Sequence, residues 1–228
     1  MTIRFGEATL KACAPAAQQV GATRHGHPAL ANAVSAAMAD TIMTSPAAPY
    51  TWTYSEYARF PNDGNRYEVI DGEILVTPSP SPFHQHVLMT LGIALRQHVE
   101  RHELGVVLLD VDVLFATGHF LRPDLTFVPA DRLDGISDRG VEVAPGLIVE
   151  VQSPTSASID RVKKPRRYGD FGVPEYWVLD HAAGAVWIWR FASGAREPDH
   201  VKGEFEWSPA GASNALVLDT AVLFRPLM

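Results

Sequence analysis

An α/β fold follows from three stretches of the sequence. Residues 145–180 read as a strand, a polar turn, a helix, a stop signal and a second strand. Residues 66–76 place Asp71-Gly72 between two alternating runs, the strongest short-range signal for a β-hairpin. Residues 83–103 switch to a helical period, with Val87, Leu88, Leu91, Ala94, Leu95 and Val99 three and four positions apart.

Length and composition bound the rest. The 228 residues suffice for one domain of ordinary size plus an extension. No apolar run approaches the roughly 20 residues of a membrane span. The single Cys13 excludes an intrachain disulfide and a thiolate metal cluster, so a reducing, cytoplasmic location is the simplest reading. The net charge of −7 argues against a basic nucleic-acid coat, because non-specific affinity depends on neutralising phosphates. Any such contact must come from a local patch, and Arg161, Lys163, Arg166 and Arg167 form the obvious one. A solvated helix face accounts for that patch equally well.

Taken in order, residues 1–48 are Ala-rich and lack a sustained period; they are expected to be a disordered tail or an over-extended start, with Met43 as an alternative initiator. The folded domain is expected over 49–228. Thr53 to Tyr57 suggests a capped helical turn. In the hairpin a two-residue turn sets Ile70 opposite Glu73 and Glu68 opposite Leu75, so two carboxylates share one face; exposed edge charges would also explain them. His84 and Gln85 fall in the first turn of the following helix, where a histidine is usually structural and can also meet a phosphate. A second hairpin is expected from a strand at 106–115, a turn at Thr117-Gly118-His119 and a returning strand at 120–128. Residues 131–144 read as a polar connection. After Asp180 come strands at 186–190 and, less marked, near 205–207 and 216–218.

Candidate chemistry starts with Glu150, a carboxylate inside the apolar run Leu147 to Val151. Burying it is costly, so it must be paired, metal-bound or at the exposed strand end. Gln152 shares its face. Glu73, Asp124 after Pro123, Glu150 and Lys164 together suit metal-assisted phosphodiester hydrolysis. Mg²⁺ takes a few carboxylate oxygens and keeps several waters, and a lysine offsets charge developing in the transition state. The aromatic runs at 176–177 and 187–189 are expected in the core or a dimer face rather than as a base-stacking platform.

These motifs resemble a family. Tyr67 to Glu73, the Pro-Phe-His84-Gln segment, Arg122-Pro-Asp124, Glu150-Val-Gln-Ser-Pro154 and Gly172-Val-Pro-Glu-Tyr-Trp177 look like the Uma family of the PD-(D/E)XK, or restriction-endonuclease-like, superfamily. The resemblance implies a restriction-endonuclease-like mixed β-sheet flanked by helices, a divalent cation (Mg²⁺ or Mn²⁺) and a nucleic-acid substrate, DNA in the first place. By position Asp124 and Glu150 match the metal-binding carboxylates, assisted by the Val151 carbonyl. Gln152 stands where the superfamily has a lysine; Lys164, four residues before Tyr168, matches the migrated lysine, with Lys163 as the alternative. Glu73 matches an additional glutamate. Pro165 departs from a regular helix, which must start or kink there. A homodimer would suit cleavage of both strands. Gln152, Pro165 and the acidic charge also fit a different class, a non-catalytic binding module that keeps the fold, or a subunit active only within a complex.

Overall fold

The computed structural model of the chain describes residues 50–115, 118–153 and 156–227. The expected tail at 1–48, the Met43 start, Thr117 of the expected turn and Pro154-Thr155 ahead of the basic helix lie outside them. A short helix, α1 (Tyr54–Tyr57), comes first, and the Thr53 amide donates to Glu56 Oε2 at 2.8 Å. Next, β1 (Arg66–Ile70) and β2 (Glu73–Thr77) pair in the expected register, Ile70 opposite Glu73 and Glu68 opposite Leu75. Asp71 and Gly72 take φ values of 55° and 78°, the left-handed pair that a two-residue hairpin turn demands. The long helix α2 (Pro82–Arg101) starts where Ser81 Oγ accepts from the His84 amide at 3.2 Å. Pro82 sits in its first turn, where a missing N–H has no helical acceptor to lose.

The two long strands expected next are each broken. β3 (Gly105–Leu109) and β4 (Val113–Phe115) replace the first, β5 (His119–Leu121) and β6 (Leu125–Pro129) the second. The hairpin survives as β4–β5, with Leu114 opposite Phe120, and β3–β6, with Val107 opposite Phe127. Between these halves Asp110 turns at φ 53°, and its amide donates to the Asp124 carbonyl at 3.2 Å. Pro123 has no N–H for a ladder, so both strands leave one sheet together and enter another. A 3-10 turn (Ala130–Gly135), β7 (Ile136–Ser137) and β8 (Gly140–Val141) occupy the expected polar connection.

β9 (Leu147–Val151) leads through a π-helical turn (Ile159–Lys163) and α3 (Lys164–Asp170) to β10 (Glu175–Asp180), which lies parallel to β9. Then come β11 (Ala185–Arg190), β12 (Asp199–Val201), β13 (Glu204–Trp207), β14 (Leu216–Asp219) and α4 (Thr220–Leu223). One sheet has the order β2-β1-β5-β4-β8-β7, another β12-β11-β10-β9-β6-β3, and β13-β14 form a ribbon. Among the described residues no helix is long and apolar enough to cross a membrane.

The alternation along β9 decides which face carries chemistry. Leu147, Val149 and Val151 pack with Val87, Leu91, Leu95 and Val99 of α2 and with Trp177 and Leu179 of β10. Ile148 packs the other way, with Tyr168, Tyr176 and Val178 and with Ile70, Val113 and Leu121 of the first sheet. Glu150 alternates with Val149 and Val151, so it shares the Ile148 face, away from α2. The expected helix start or kink at Pro165 takes the form of the π turn, which ends at Lys163 and leaves Pro165 in the first turn of α3. There its missing N–H breaks no bond of α3.

Gly105 begins β3 at φ 141°, and a Cβ there would lie 2.1 Å from the Val128 carbonyl oxygen. The neighbour is backbone and cannot yield as a side chain would. Gly105→Ala should therefore lower stability by about 2 kcal/mol, read as the shift of the urea midpoint. An unchanged midpoint would contradict this account of the β3–β6 pairing.

Candidate active site

Lys164 enters the site because α3 turns its first residue toward β9 and β1. Its Nζ donates to Glu150 Oε1 at 2.8 Å and to both oxygens of Glu68, at 3.1 and 3.0 Å. Asp160 Oδ1, one turn back, is 3.5 Å away. All four side chains are buried. Burial would lower the Lys164 ammonium, but Glu150, Glu68 and Asp160 overcome it and hold the amine charged well above its ordinary range. The Glu150 carboxyl is raised as well: burial lifts it well above the usual carboxylate range, Lys164 pulls it down, and Asp124, Asp160 and Glu68 add to the rise. Burial likewise raises Asp160. Tyr168, one turn after Lys164, donates its hydroxyl to Glu150 Oε1 at 3.4 Å.

Asp124 sits at the break between β5 and β6, buried beside this cluster. Its Oδ1 accepts from Arg66 Nη1 at 2.7 Å and its Oδ2 from the Val151 amide at 2.7 Å. His84 Nε2 approaches Oδ2 to 3.3 Å, and this buried nitrogen makes no regular hydrogen bond. Burial alone would raise the Asp124 carboxyl. The close polar contact of His84, the Arg66 guanidinium and the Val151 N–H outweigh it and hold the carboxyl at about 2. Ionised Asp124 thus favours the folded state, a contribution lost as pH falls from the ordinary carboxylate range through about 2. Arg66 also contacts Asp110 at 3.0 Å and donates to the Arg122 carbonyl at 3.1 Å.

The structure brings Asp124, Glu150, Lys164 and His84 together, with Gln152 immediately after β9. The Gln152 Oε1 is buried without a hydrogen-bond partner. Glu73 lies elsewhere, exposed and paired with Lys163. The hairpin carboxylate in the cluster is Glu68, which also accepts from the Arg122 amide at 2.9 Å. Glu68 carried the same signal as Glu150, a carboxylate among residues that are all buried (Tyr67, Val69, Ile70). Arg66, Asp160 and Tyr168 complete the set; Asp160 stands four residues before Lys164, on the same helical face. The remaining basic residues point outward. Arg161 pairs with Asp180, Arg167 pairs with Asp71 at 2.6 Å and Asp170 at 3.2 Å, and Arg166 is exposed.

Four buried carboxylates thus face two permanent cations, Lys164 and Arg66. Among the described residues no three His, Cys, Asp or Glu side chains converge as a ready ligand set for a metal ion. Mg²⁺ needs only one or two carboxylates because it retains several waters. Hard oxygen donors, surplus negative charge and the unpartnered Gln152 Oε1 fit such an ion.

A sheet with a parallel β9–α3–β10 unit, an acidic strand break and a buried lysine describes a restriction-endonuclease-like protein. The chain matches the Uma2 family, described as "putative restriction endonuclease", over residues 54–220, and it belongs to that family. A similar crystal structure is that of "a putative nuclease belonging to DUF820" from Anabaena variabilis ATCC 29413. It shares the fold at a TM-score of 0.64 and 20% identity, over 76% of this chain and 97% of that one. No curated protein matches the chain.

Removing Lys164 leaves Glu68, Glu150 and Asp160 buried without their shared cation. Lys164→Met should cost about 3–5 kcal/mol at neutral pH. Burial raises the Glu150 and Asp160 carboxyls, so the folded variant binds more protons than the unfolded chain and gains stability as pH falls. Urea titrations at neutral and mildly acidic pH should show a smaller deficit on the acidic side. A deficit that is equal or larger there would refute the three-carboxylate clamp.

Proposed function

We propose that this chain hydrolyses phosphodiester bonds of nucleic acid, DNA in the first place, with a divalent cation (Mg²⁺ or Mn²⁺) held by Asp124 and Glu150. The observation that carries this reading is the buried amine of Lys164 between carboxylates of β1 and β9, beside Asp124. As a stability device the cluster is inefficient, since buried ion pairs seldom outperform well-packed apolar side chains. As catalytic machinery it is economical. The bound ion would supply Lewis-acid polarisation of the phosphoryl oxygen and a water of lowered pKa.

The chain's own groups set the geometry. Arg66 and the Val151 N–H fix both oxygens of Asp124, while Glu68 and Asp160 hold Lys164 charged and aimed at Glu150. A fixed ammonium in a water-poor pocket stabilises charge developing on a phosphoryl group far better than a solvated one. Lys164 therefore serves as the migrated lysine, and Gln152 offers only a neutral polar oxygen. Glu68 takes the supporting role expected of Glu73. His84 borders the same pocket as a contact for the phosphate.

Supercoiled plasmid cleavage with Mg²⁺, with Mn²⁺ and with chelator tests the reading. Asp124→Asn and Glu150→Gln, chosen because they keep volume, should each cut nicking by about 100-fold or more. Circular dichroism would establish that they fold. Wild-type protein that neither cleaves nor shows calorimetric metal binding would sink the proposal in favour of a non-catalytic module.

A further inference from the structure

On the outer side of α3, away from Lys164, lies a groove of about 880 Å³, within the range of roughly 300–1,000 Å³ typical of ligand sites. The π turn and α3 present two faces. Asp160, Lys164 and Tyr168 are buried toward β9, whereas Arg161, Arg166 and Gly169 line the groove. Its opposite wall is formed by Trp187 of β11 and by Arg196 in the loop before β12.

The polar groups of this groove are donors short of acceptors. Arg166 and Arg196 have no ion-pair partner among the described residues. The Nε of Arg161 and the Nε1 of Trp187 are buried with nothing to accept from them, at a cost to the fold. Two carboxylates line the groove: Asp170 is bonded to Arg167 at 3.2 Å, and Glu197 is unpaired. Two free guanidiniums thus face one free carboxylate, in a chain whose net charge is −7. Arg161 is fixed by Asp180 and sits 4.6 Å over the Trp187 ring, and His200 covers that ring at 4.3 Å. With the Trp187 ring already contacted by Arg161 and His200, the free polar groups that the groove offers are oxyanion donors.

We propose that this groove is a second nucleic-acid contact, in which Arg166 and Arg196 each grip a backbone phosphate of a strand without reading its sequence. The proposal rests on the reading of the chain as acting on nucleic acid, and it concerns a face separate from the carboxylate–lysine site. Guanidinium is suited to this task because its planar donors match phosphate oxygens in pairs.

The test is fluorescence anisotropy of a labelled oligothymidylate, in chelator to prevent cleavage, across a salt series. Wild type and Arg166→Ala/Arg196→Ala are compared, with inorganic phosphate as competitor. The double variant should bind at least tenfold more weakly at low salt. Its slope of log affinity against log salt should be shallower by about 1.4, the counterion release of two single-strand phosphate contacts. Equal slopes for wild type and double variant, or displacement of the oligonucleotide by inorganic phosphate as readily as by unlabelled strand, would overturn the proposal. Plasmid assays on the same proteins separate the two readings. Absent cleavage with the slope difference intact leaves the groove standing and removes the nuclease, whereas cleavage with equal slopes removes only the groove.

Discussion

One lysine shared by three buried carboxylates is the constraint on which the structure turns. Glu68 comes from β1 of the first sheet, Glu150 from β9 of the second, and Asp160 from the π turn beside Lys164 itself. The ammonium therefore ties two sheets and a helix to a single point. Burial alone would drive Glu150 and Asp160 to protonate. With Glu68 they hold the amine charged, which in turn keeps acid groups tolerable in a core built from Ile70, Tyr168 and Val178.

The second constraint is the paired break of the β3–β6 hairpin. Asp110 turns one strand and Arg122-Pro123-Asp124 turns the other, so the hairpin crosses from one sheet to the other at a single level. At that level the backbone has exhausted its ladder partners, and side chains take over. Arg122 donates its amide to Glu68, Arg66 bridges Asp124 and Asp110, and Val151 donates to Asp124. Asp124 is held in position by a discontinuity in the sheet, a place where an uncommon side-chain arrangement is easiest to accommodate.

The segment from Asp160 to Asp170 uses both of its faces. The wide turn before Pro165 sets Asp160, Lys164 and Tyr168 inward and leaves Arg161 and Arg166 outward. Arg161 is braced by Asp180 and Trp187, and Gly169 lets Phe191 approach, with a Cβ there 3.3 Å from the Phe191 ring. A single short helix thereby separates an acidic, buried interior from a cationic groove, a division that its charge count alone would not suggest.

Much of this was legible from residue order. Asp71-Gly72 dictates a hairpin and its register because few residues tolerate two left-handed positions, and the spacing from Val87 to Val99 dictates a helix because only one face can be buried. Glu150 announced a partner, since an apolar strand does not bury a charge unpaired. Pro123, between Arg122 and Asp124, marks an interruption of 120–128, but which sheet each half joins was not legible, because that depends on strands far away in sequence. The choice of Glu68 over Glu73 was likewise decided by tertiary structure. Both lie on one hairpin face, and only the approach of α3 determines which meets Lys164 and which meets Lys163. Local sequence sets backbone geometry and the alternation of faces, whereas the pairing of charges is set by what the folded chain packs opposite each face.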